Sequence, residues 1–183
     1  MKRNGFVLVL AVLMLACGMV YAGVTDEAMK LRTAGKVDEA IVLLEKQASD
    51  AKLTPAERVF CRYAKAQTLA GWQKKYAQAI VEMEAVVGMP ANDSLVAWAH
   101  YHIGSYQEAL GQKAKAQAAY IKACYTSTPS VRAYEAALKR IDRVALGEAE
   151  YKKLLAALVL AVPATAENAA FLGYLKSEQE KFK

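Results

Sequence analysis

The sequence predicts an all-α protein built from repeated helical hairpins. The composition favours helices, because 55% of the 183 residues are hydrophobic and only 10 glycines and 4 prolines interrupt them. Glycines at positions 35, 71, 111 and 147 each fall between two helix-like stretches, at spacings of 36, 40 and 36 residues. A regular spacing of this length is typical of an array of helix pairs.

The first 22 residues have the pattern of a secretory signal peptide. Lys2 and Arg3 precede the apolar run 6–15, and Val20-Tyr21-Ala22 offers a cleavage site. We expect residues 1–22 to be removed and residues 23–183 to form one exported domain, periplasmic or secreted.

Two alternatives compete with this cleavage. Met14-Leu15-Ala16-Cys17 is similar to a bacterial lipobox, which would leave the chain anchored through a lipid on Cys17. The other alternative is an uncleaved membrane anchor, but the apolar run is short for a transmembrane helix, which needs about 20 residues. We expect no transmembrane span in the mature chain.

Removal of residues 1–22 takes away Lys2 and Arg3 but no acidic residue, so the net charge falls from +6 to +4. This mildly basic balance fits an acidic partner or an anionic surface, and it equally fits a solvated surface with spare lysines. It is too low for a nucleic-acid-binding protein, and export argues against nucleic acid as well.

Thr25 to about Ala51 form the first predicted hairpin. Thr25 is the predicted N-cap, and Asp26 and Glu27 suit the positive end of the helix dipole. After Gly35, the second helix carries an apolar stripe that must be buried, formed by Ile41, Leu44 and Ala48.

Thr54-Pro55-Ala56-Glu57 opens the second hairpin with a predicted cap and a proline at the first helical position. We expect a long turn over Gly71-Trp72-Gln73-Lys74-Lys75-Tyr76. A second helix follows with an apolar stripe, and Gly88-Met89-Pro90 ends it. The stripe is Ala79, Met83 and Val86.

The third hairpin, capped by Asp93 or Ser94, is the best defined. Its first helix carries an apolar stripe and Gly104, at which we expect close helix packing. Its second helix, after Gly111, has the spacing A-x3-Y-x2-A, and Pro129 closes the unit. The two stripes are Ala99, Ile103, Tyr106 and Leu110, then Ala116, Tyr120 and Ala123.

The stretch Trp98–Pro129 resembles a tetratricopeptide repeat, whose pattern is W-x2-L-G-x2-Y, then A-x3-F, then P over 34 residues. The resemblance covers residues 25–129 well. It implies a right-handed α-α superhelix, a TPR-like solenoid of about four helix pairs plus a C-terminal capping helix, whose concave groove binds partner segments.

Residues 131–145 and 148–162 form a fourth, degenerate pair. Because residues 154–162 are all apolar, we expect that helix to be covered on several sides. Thr165 is the predicted cap of a last helix, to about Phe182, that closes the array. Its solvated residues are predicted to be Lys176, Glu178, Glu180 and Lys181.

Nothing in the sequence suggests catalysis, a metal or a cofactor. His100 and His102, the only histidines, are two residues apart and point to different sides of a helix. Cys61 and Cys124 fall on helices that are not nearest neighbours, so we expect two separate thiols rather than a disulfide.

The family's groove positions, carried over, give a candidate binding surface. In the second hairpin they are Arg58, Cys61, Arg62, Lys65 and Thr68, and in the third Trp98, Tyr101, His102, Ser105 and Glu108. The fourth unit adds Arg132, Lys139 and Arg143. Arginine can grip a carboxylate through two bonds, and aromatic residues are frequent at binding hot spots. A solvated basic face and packed aromatic side chains are the alternatives.

We therefore expect a non-enzymatic interaction scaffold of the cell envelope that binds an acidic or amphipathic protein segment. The alternative is a binding protein for a small molecule or a cell-wall fragment in the same groove.

Overall fold

The computed structural model describes residues 23–89, 93–127 and 130–182. Within these ranges the chain forms ten α-helices, one short 3-10 helix at Ala166–Asn168 and no strand, which confirms the all-α prediction. The helices are α1 (Asp26–Thr33), α2 (Val37–Ser49), α3 (Pro55–Gln73), α4 (Tyr76–Gly88), α5 (Asp93–Ala109), α6 (Lys113–Cys124), α7 (Val131–Leu138), α8 (Arg143–Leu146), α9 (Glu148–Ala161) and α10 (Ala169–Glu180).

Helices that follow each other in sequence pack against each other, from α1 through α7, and α9 packs on α10. The buried side chains form three consecutive core clusters. The first joins α1, α2 and α3, the second joins α3 to α6, and the third joins α5 to α10. A row of clusters, each shared by neighbouring helices, is what a helical repeat produces.

The three hairpin turns have nearly the same backbone conformation. The residue before each second helix is Lys36 (φ -85°, ψ 59°), Lys75 (φ -81°, ψ 59°) or Gln112 (φ -88°, ψ 61°). It follows a residue with positive φ, which is Gly35 (78°), Lys74 (58°) or Gly111 (74°). Lys74 therefore takes in the second hairpin the place that glycine takes in the other two. The predicted turn beginning at Gly71 is wrong, because α3 continues through Gly71 to Gln73.

The first helix of the second hairpin also ends differently from the first helices of the other two. In the first and third hairpins, the amides of Lys36 and Gln112 donate to the carbonyls five residues back, at 2.9 and 2.8 Å, which is the Schellman arrangement. In the second hairpin, Lys75 donates to Leu69, six residues back, at 3.1 Å. Thus α3 is one residue longer before the shared turn.

Of the three predicted threonine caps, only Thr54 bonds to its helix through the side chain. Thr54 Oγ1 accepts from the Glu57 amide at 3.2 Å, and the Thr54 amide donates to Glu57 Oε2 at 2.8 Å, a complete capping box. Thr25 and Thr165 occupy the predicted N-cap positions, of α1 and of the 3-10 helix, but their side chains make no cap hydrogen bond. The side chains of Asp93 and Ser94, Pro90, Pro129 and the predicted signal segment 1–22 with Cys17 lie outside the described residues.

The predicted helix over 131–145 is wrong, because α7 ends at Leu138 and α8 begins at Arg143. Asp142 Oδ1 accepts from the Val144 amide at 3.0 Å and starts α8. Gln117 of α6 bonds to the backbone between α7 and α8. Its Nε2 donates to the Arg140 carbonyl at 2.9 Å, and its Oε1 accepts from the Asp142 amide at 2.6 Å. The break therefore depends on a contact from another helix.

Two expectations for the C-terminal helices are also wrong. Leu160 of α9 is 87% exposed, so this apolar helix is not covered on several sides. Glu178 of α10, predicted to be solvated, is 7% exposed and lies between Arg143, at 3.8 Å, and Lys181. Phe171 and Leu175 are buried in the third core cluster. The part of the chain that the structure describes has no helix of sufficient length and apolarity to cross a membrane.

Candidate functional site

The predicted basic residues of α3 lie against the second helices of two hairpins. Arg62 Nη1 is 2.9 Å from Glu82 Oε2, and Lys65 Nζ is 2.9 Å from Glu82 Oε1 on α4. Lys65 Nζ is also 3.5 Å from Glu45 Oε2 on α2. These ion pairs hold α3 between α2 and α4, and both cations already have carboxylate partners.

The other predicted positions on α3 are distributed between core and surface. Cys61 and Thr68 are fully buried, and Thr68 Oγ1 accepts from Arg32 Nη1 at 3.2 Å. Arg58 is half-buried and follows the helical spacing of Arg62 and Lys65, which places it on the same side of α3.

The predicted residues of α5 form a cluster of aromatic rings. The ring centroids of Trp98 and Tyr101 are 5.5 Å apart in an edge-to-face arrangement, and those of Tyr101 and His102 are 5.4 Å apart. Trp98, Tyr101, His102 and Ser105 are all half-buried. Glu108 is instead engaged by Arg140 and by the Tyr120 hydroxyl, which donates to it at 2.8 Å.

His102 joins this cluster to the neighbouring first helix. Its ring centroid is 5.6 Å from that of Tyr63 on α3, and its Nε2 is 3.4 Å from Gln67 Nε2. Phe60 stacks on Tyr63 at 6.3 Å. We call the five rings Phe60, Tyr63, Trp98, Tyr101 and His102 the aromatic strip. It crosses from α3 to α5, and all of it except the buried Tyr63 is half-buried.

The structure does not bring the two predicted residue sets to one surface. In the predicted set each α3 residue precedes its α5 counterpart by 40 residues, the spacing of Gly71 and Gly111. The structure favours a spacing of 38 between these two first helices: Gly104 lies against Tyr120, and Ala66, 38 positions before Gly104, is buried in the same core cluster as Met83. On the second helices, Met83 precedes Tyr120 by 37 positions. A shift of two residues turns a helix by about 200°, to its opposite side.

Phe60, Tyr63 and Gln67 therefore stand on α3 where Trp98, Tyr101 and Ser105 stand on α5. These three residues were not among the predicted groove positions, because Gly71 was taken as the landmark of the second turn. The small residue Ala66, 38 positions before Gly104, was the available clue. The roles of Arg58, Arg62 and Lys65 in binding a partner stay predictions.

The aromatic strip carries no charge at neutral pH. Burial lowers the pKa of His102 to about 4, so its imidazole is neutral and offers one donor and one acceptor. The buried Tyr106, which is not part of the strip, stacks on His102 with ring centroids 5.7 Å apart. The strip thus presents ring surface with polar groups from Gln67 and Ser105 beside it.

The fourth unit contributes separate basic residues. Arg132 is exposed, Lys139 Nζ lies 2.6 Å from Glu135 Oε1, and Arg143 is near Glu178. Two of these three cations are thus paired within their own part of the fold.

The two cysteine thiols are expected to be unreactive. Cys61 and Cys124 are free and buried, as expected, and burial raises their pKa values to about 11 and about 12. They are protonated at neutral pH and unsuited to nucleophilic attack. Among the described residues, no three His, Cys, Asp or Glu side chains are grouped so that they would hold a metal ion.

No family model matches the chain, and no curated protein and no solved structure matches it. The tetratricopeptide assignment therefore stays a prediction.

Proposed function

We propose that this chain is a non-enzymatic scaffold that binds a segment of a partner protein across the aromatic strip. The observation that carries the proposal is a continuous set of five rings from two neighbouring hairpins, four of them half-buried and Tyr63 buried, with successive centroids 5.4 to 6.3 Å apart. Tryptophan and tyrosine, which supply three of the five rings, are among the residue types most enriched at binding hot spots.

The strip favours an amphipathic segment with apolar or aromatic anchors. Its own residues are uncharged, so hydrophobic contact supplies most of the affinity. An acidic segment would have to compete with Glu82 and Glu45 for Arg62 and Lys65. We therefore expect binding that changes little with salt, in contrast to an association led by charge.

We place the strip on the inner surface of a right-handed, TPR-like superhelix. Sequence-adjacent packing and the shared turn geometry of the three hairpins support this architecture. The pattern of residues 1–22 supports export and a place in the cell envelope.

A binding protein for a small molecule or a cell-wall fragment is the second candidate. Gln67 and Ser105 beside the rings favour it, because ligand sites combine aromatic surface with a few polar groups.

Site-specific photocrosslinking tests the proposal. A photoreactive phenylalanine analogue replaces Trp98 in the full chain, expressed in the cells that make it, and in a control chain it replaces Val81, which is 63% exposed on α4. We expect a discrete protein adduct from position 98 that is absent from position 81. An adduct that resists protease and contains amino sugar supports the second candidate. Identical protein adducts from both positions, or none, contradict both.

A further inference from the structure

The second and third hairpin turns carry four exposed lysines. Lys74 and Lys75 lie between α3 and α4, and Lys113 and Lys115 lie in the first turn of α6. Within the described ranges, none of the four belongs to an ion pair. Lys74 Nζ donates to the Gly71 carbonyl, at 3.2 Å. In the part of the chain that the structure describes, no carboxylate therefore lies within ion-pair distance of these four lysines.

The helix ends at these turns add to that charge. Neither α4 nor α6 has an acidic residue in its first turn or a side-chain cap, although the N-terminus of a helix is positive and normally attracts acids. The first hairpin follows the usual rule. Asp38 and Glu39 open α2, and Lys36 Nζ lies 3.2 Å from Glu39 Oε1. The excess of positive charge therefore belongs to the second and third turns.

The two turns lie side by side. Because α4 packs on α5 and α5 packs on α6, both turns are at the same end of neighbouring helices, whose axes are typically about 8–10 Å apart. The carboxylates near this end are engaged. Asp38 Oδ1 accepts from Gln73 at 2.6 Å, and Glu108 binds Tyr120 and Arg140.

Each of these turns also exposes a large apolar side chain. Trp72, two residues before Lys74, is 39% exposed, and Leu110, directly before Gly111, is 41% exposed. The Arg32 guanidinium covers one face of the Trp72 ring at 4.9 Å. Tryptophan is enriched at membrane interfaces, and lysines beside inserted apolar groups bind anionic headgroups.

We propose that this edge, formed by Trp72, Lys74, Lys75, Leu110, Lys113 and Lys115, docks on an anionic membrane surface. The lysines contact headgroup phosphates, and Trp72 and Leu110 enter the interface. An acidic protein would complement the lysines but has no need of two apolar tips set among them. The proposal is independent of the aromatic strip, which lies on a different face of α3 and α5.

Trp72 itself can report the contact. The chain has two tryptophans, so the substitution Trp98→Phe leaves Trp72 as the only one. The full chain is mixed with vesicles of phosphatidylcholine, with or without phosphatidylglycerol, and Trp72 emission is recorded. Because the apolar run 6–15 can enter either bilayer, local emission is a better readout than sedimentation.

We expect phosphatidylglycerol vesicles, and not phosphatidylcholine alone, to shift Trp72 emission to shorter wavelength, and brominated acyl chains to quench it. The variant has glutamine at Lys74, Lys75, Lys113 and Lys115. Its affinity for the anionic vesicles, read from Trp72 emission, should fall by about fivefold for each lysine. A control with four other exposed lysines changed to glutamine loses the same charge and should keep the shift. The control positions are Lys46, Lys52, Lys122 and Lys176. Helix content, measured by circular dichroism, confirms folding of both variants.

Three results would overturn the proposal. Trp72 emission does not respond to anionic vesicles, or the two four-lysine variants lose the shift equally. The third result is that soluble polyglutamate shifts Trp72 emission at a lower concentration than vesicles do. This would assign the edge to an acidic protein.

Discussion

The second and third hairpins share one turn geometry and fill it with different side chains. In the third, the Tyr120 ring lies directly over Gly104, where an added Cβ would be 2.6 Å from Cε1. In the second, the corresponding residues are Met83 and Ala66, both fully buried. A large rigid ring requires glycine opposite it, whereas a flexible thioether leaves room for a methyl group.

Their polar contacts differ in the same way. Glu82 of the second hairpin is the centre of an ion cluster with Arg62 and Lys65. In the third, Glu108 accepts from a tyrosine hydroxyl and from Arg140, which belongs to the next unit. Glu82 lies on the second helix of its hairpin and Glu108 on the first helix of its own, so the shared turn backbone is combined with polar contacts at different places.

The largest expected effect concerns His102, which links the two hairpins. Its pKa is about 4 in the folded chain, against 6.5 as its ordinary value. The unfolded chain therefore binds more protons between these values, and stability falls as pH drops through this window, by about 3 kcal/mol in total. Urea unfolding at a series of pH values measures the decrease.

The substitution His102→Gln cannot titrate, so it should remove most of this pH dependence. Burial and Lys122 also lower the pKa of His100, so His100→Gln should remove a smaller part. An unchanged pH profile in the His102→Gln chain would show that the ring is not held neutral between α3 and α5.

The next largest effect is expected for Glu82→Gln. It leaves Arg62 and Lys65 half-buried without their shared carboxylate, which should cost about 2–3 kcal/mol of unfolding free energy. The matched control is Glu39→Gln, whose exposed pair with Lys36 is worth at most about 0.5 kcal/mol. Equal losses in the two variants, measured by denaturant unfolding, would mean that the ion cluster does not hold α3.

Gly104→Ala should cost about 2 kcal/mol, because the Tyr120 ring is fully buried and its hydroxyl is bound to Glu108. The second hairpin supplies the compensating change. Adding Tyr120→Met reproduces the Ala66 and Met83 pair, and the double variant should be at least about 1 kcal/mol more stable than the sum of the single effects predicts. Additive losses in thermal unfolding would contradict the equivalence of the two pairs.

The smallest effect concerns the left-handed turn residue. Lys74→Gly removes the strain of a side chain at φ 58° and should raise stability by about 1 kcal/mol. Gly111→Ala, at φ 74°, introduces the same strain and should lower it by a similar amount. If both changes shift the unfolding midpoint in the same direction, the two turns are not equivalent.

The sequence predicted those features that a few neighbouring residues determine. The all-α class follows from the apolar spacing of the helices, and the Thr54 capping box needs only four residues. The close contact at Gly104 was also predicted, because the resemblance to a tetratricopeptide repeat implies a glycine where the two helices of a pair pack closely.

Features that depend on distant contacts were missed. A glycine is tolerated inside a helix, so Gly71 misplaced the second turn, and the candidate surface on α3 was rotated to the side that faces Glu82. The aromatic residues of α5 were placed on the candidate surface, while Phe60 and Tyr63 were not. Glu178 was expected in solvent because its helix position does not reveal Arg143 above it.

The side chain of Gln117 has one further consequence. Its amide pairs with the Arg140 carbonyl and the Asp142 amide much as a peptide unit would, between α6 and the chain that leads to α8. This side chain thus adds polar contacts to the third core cluster, which joins α6 to the C-terminal helices. We expect the fold to come apart in two cooperative steps at this seam, with the backbone amides of α8 to α10 exchanging with solvent as a group before those of α3 to α6.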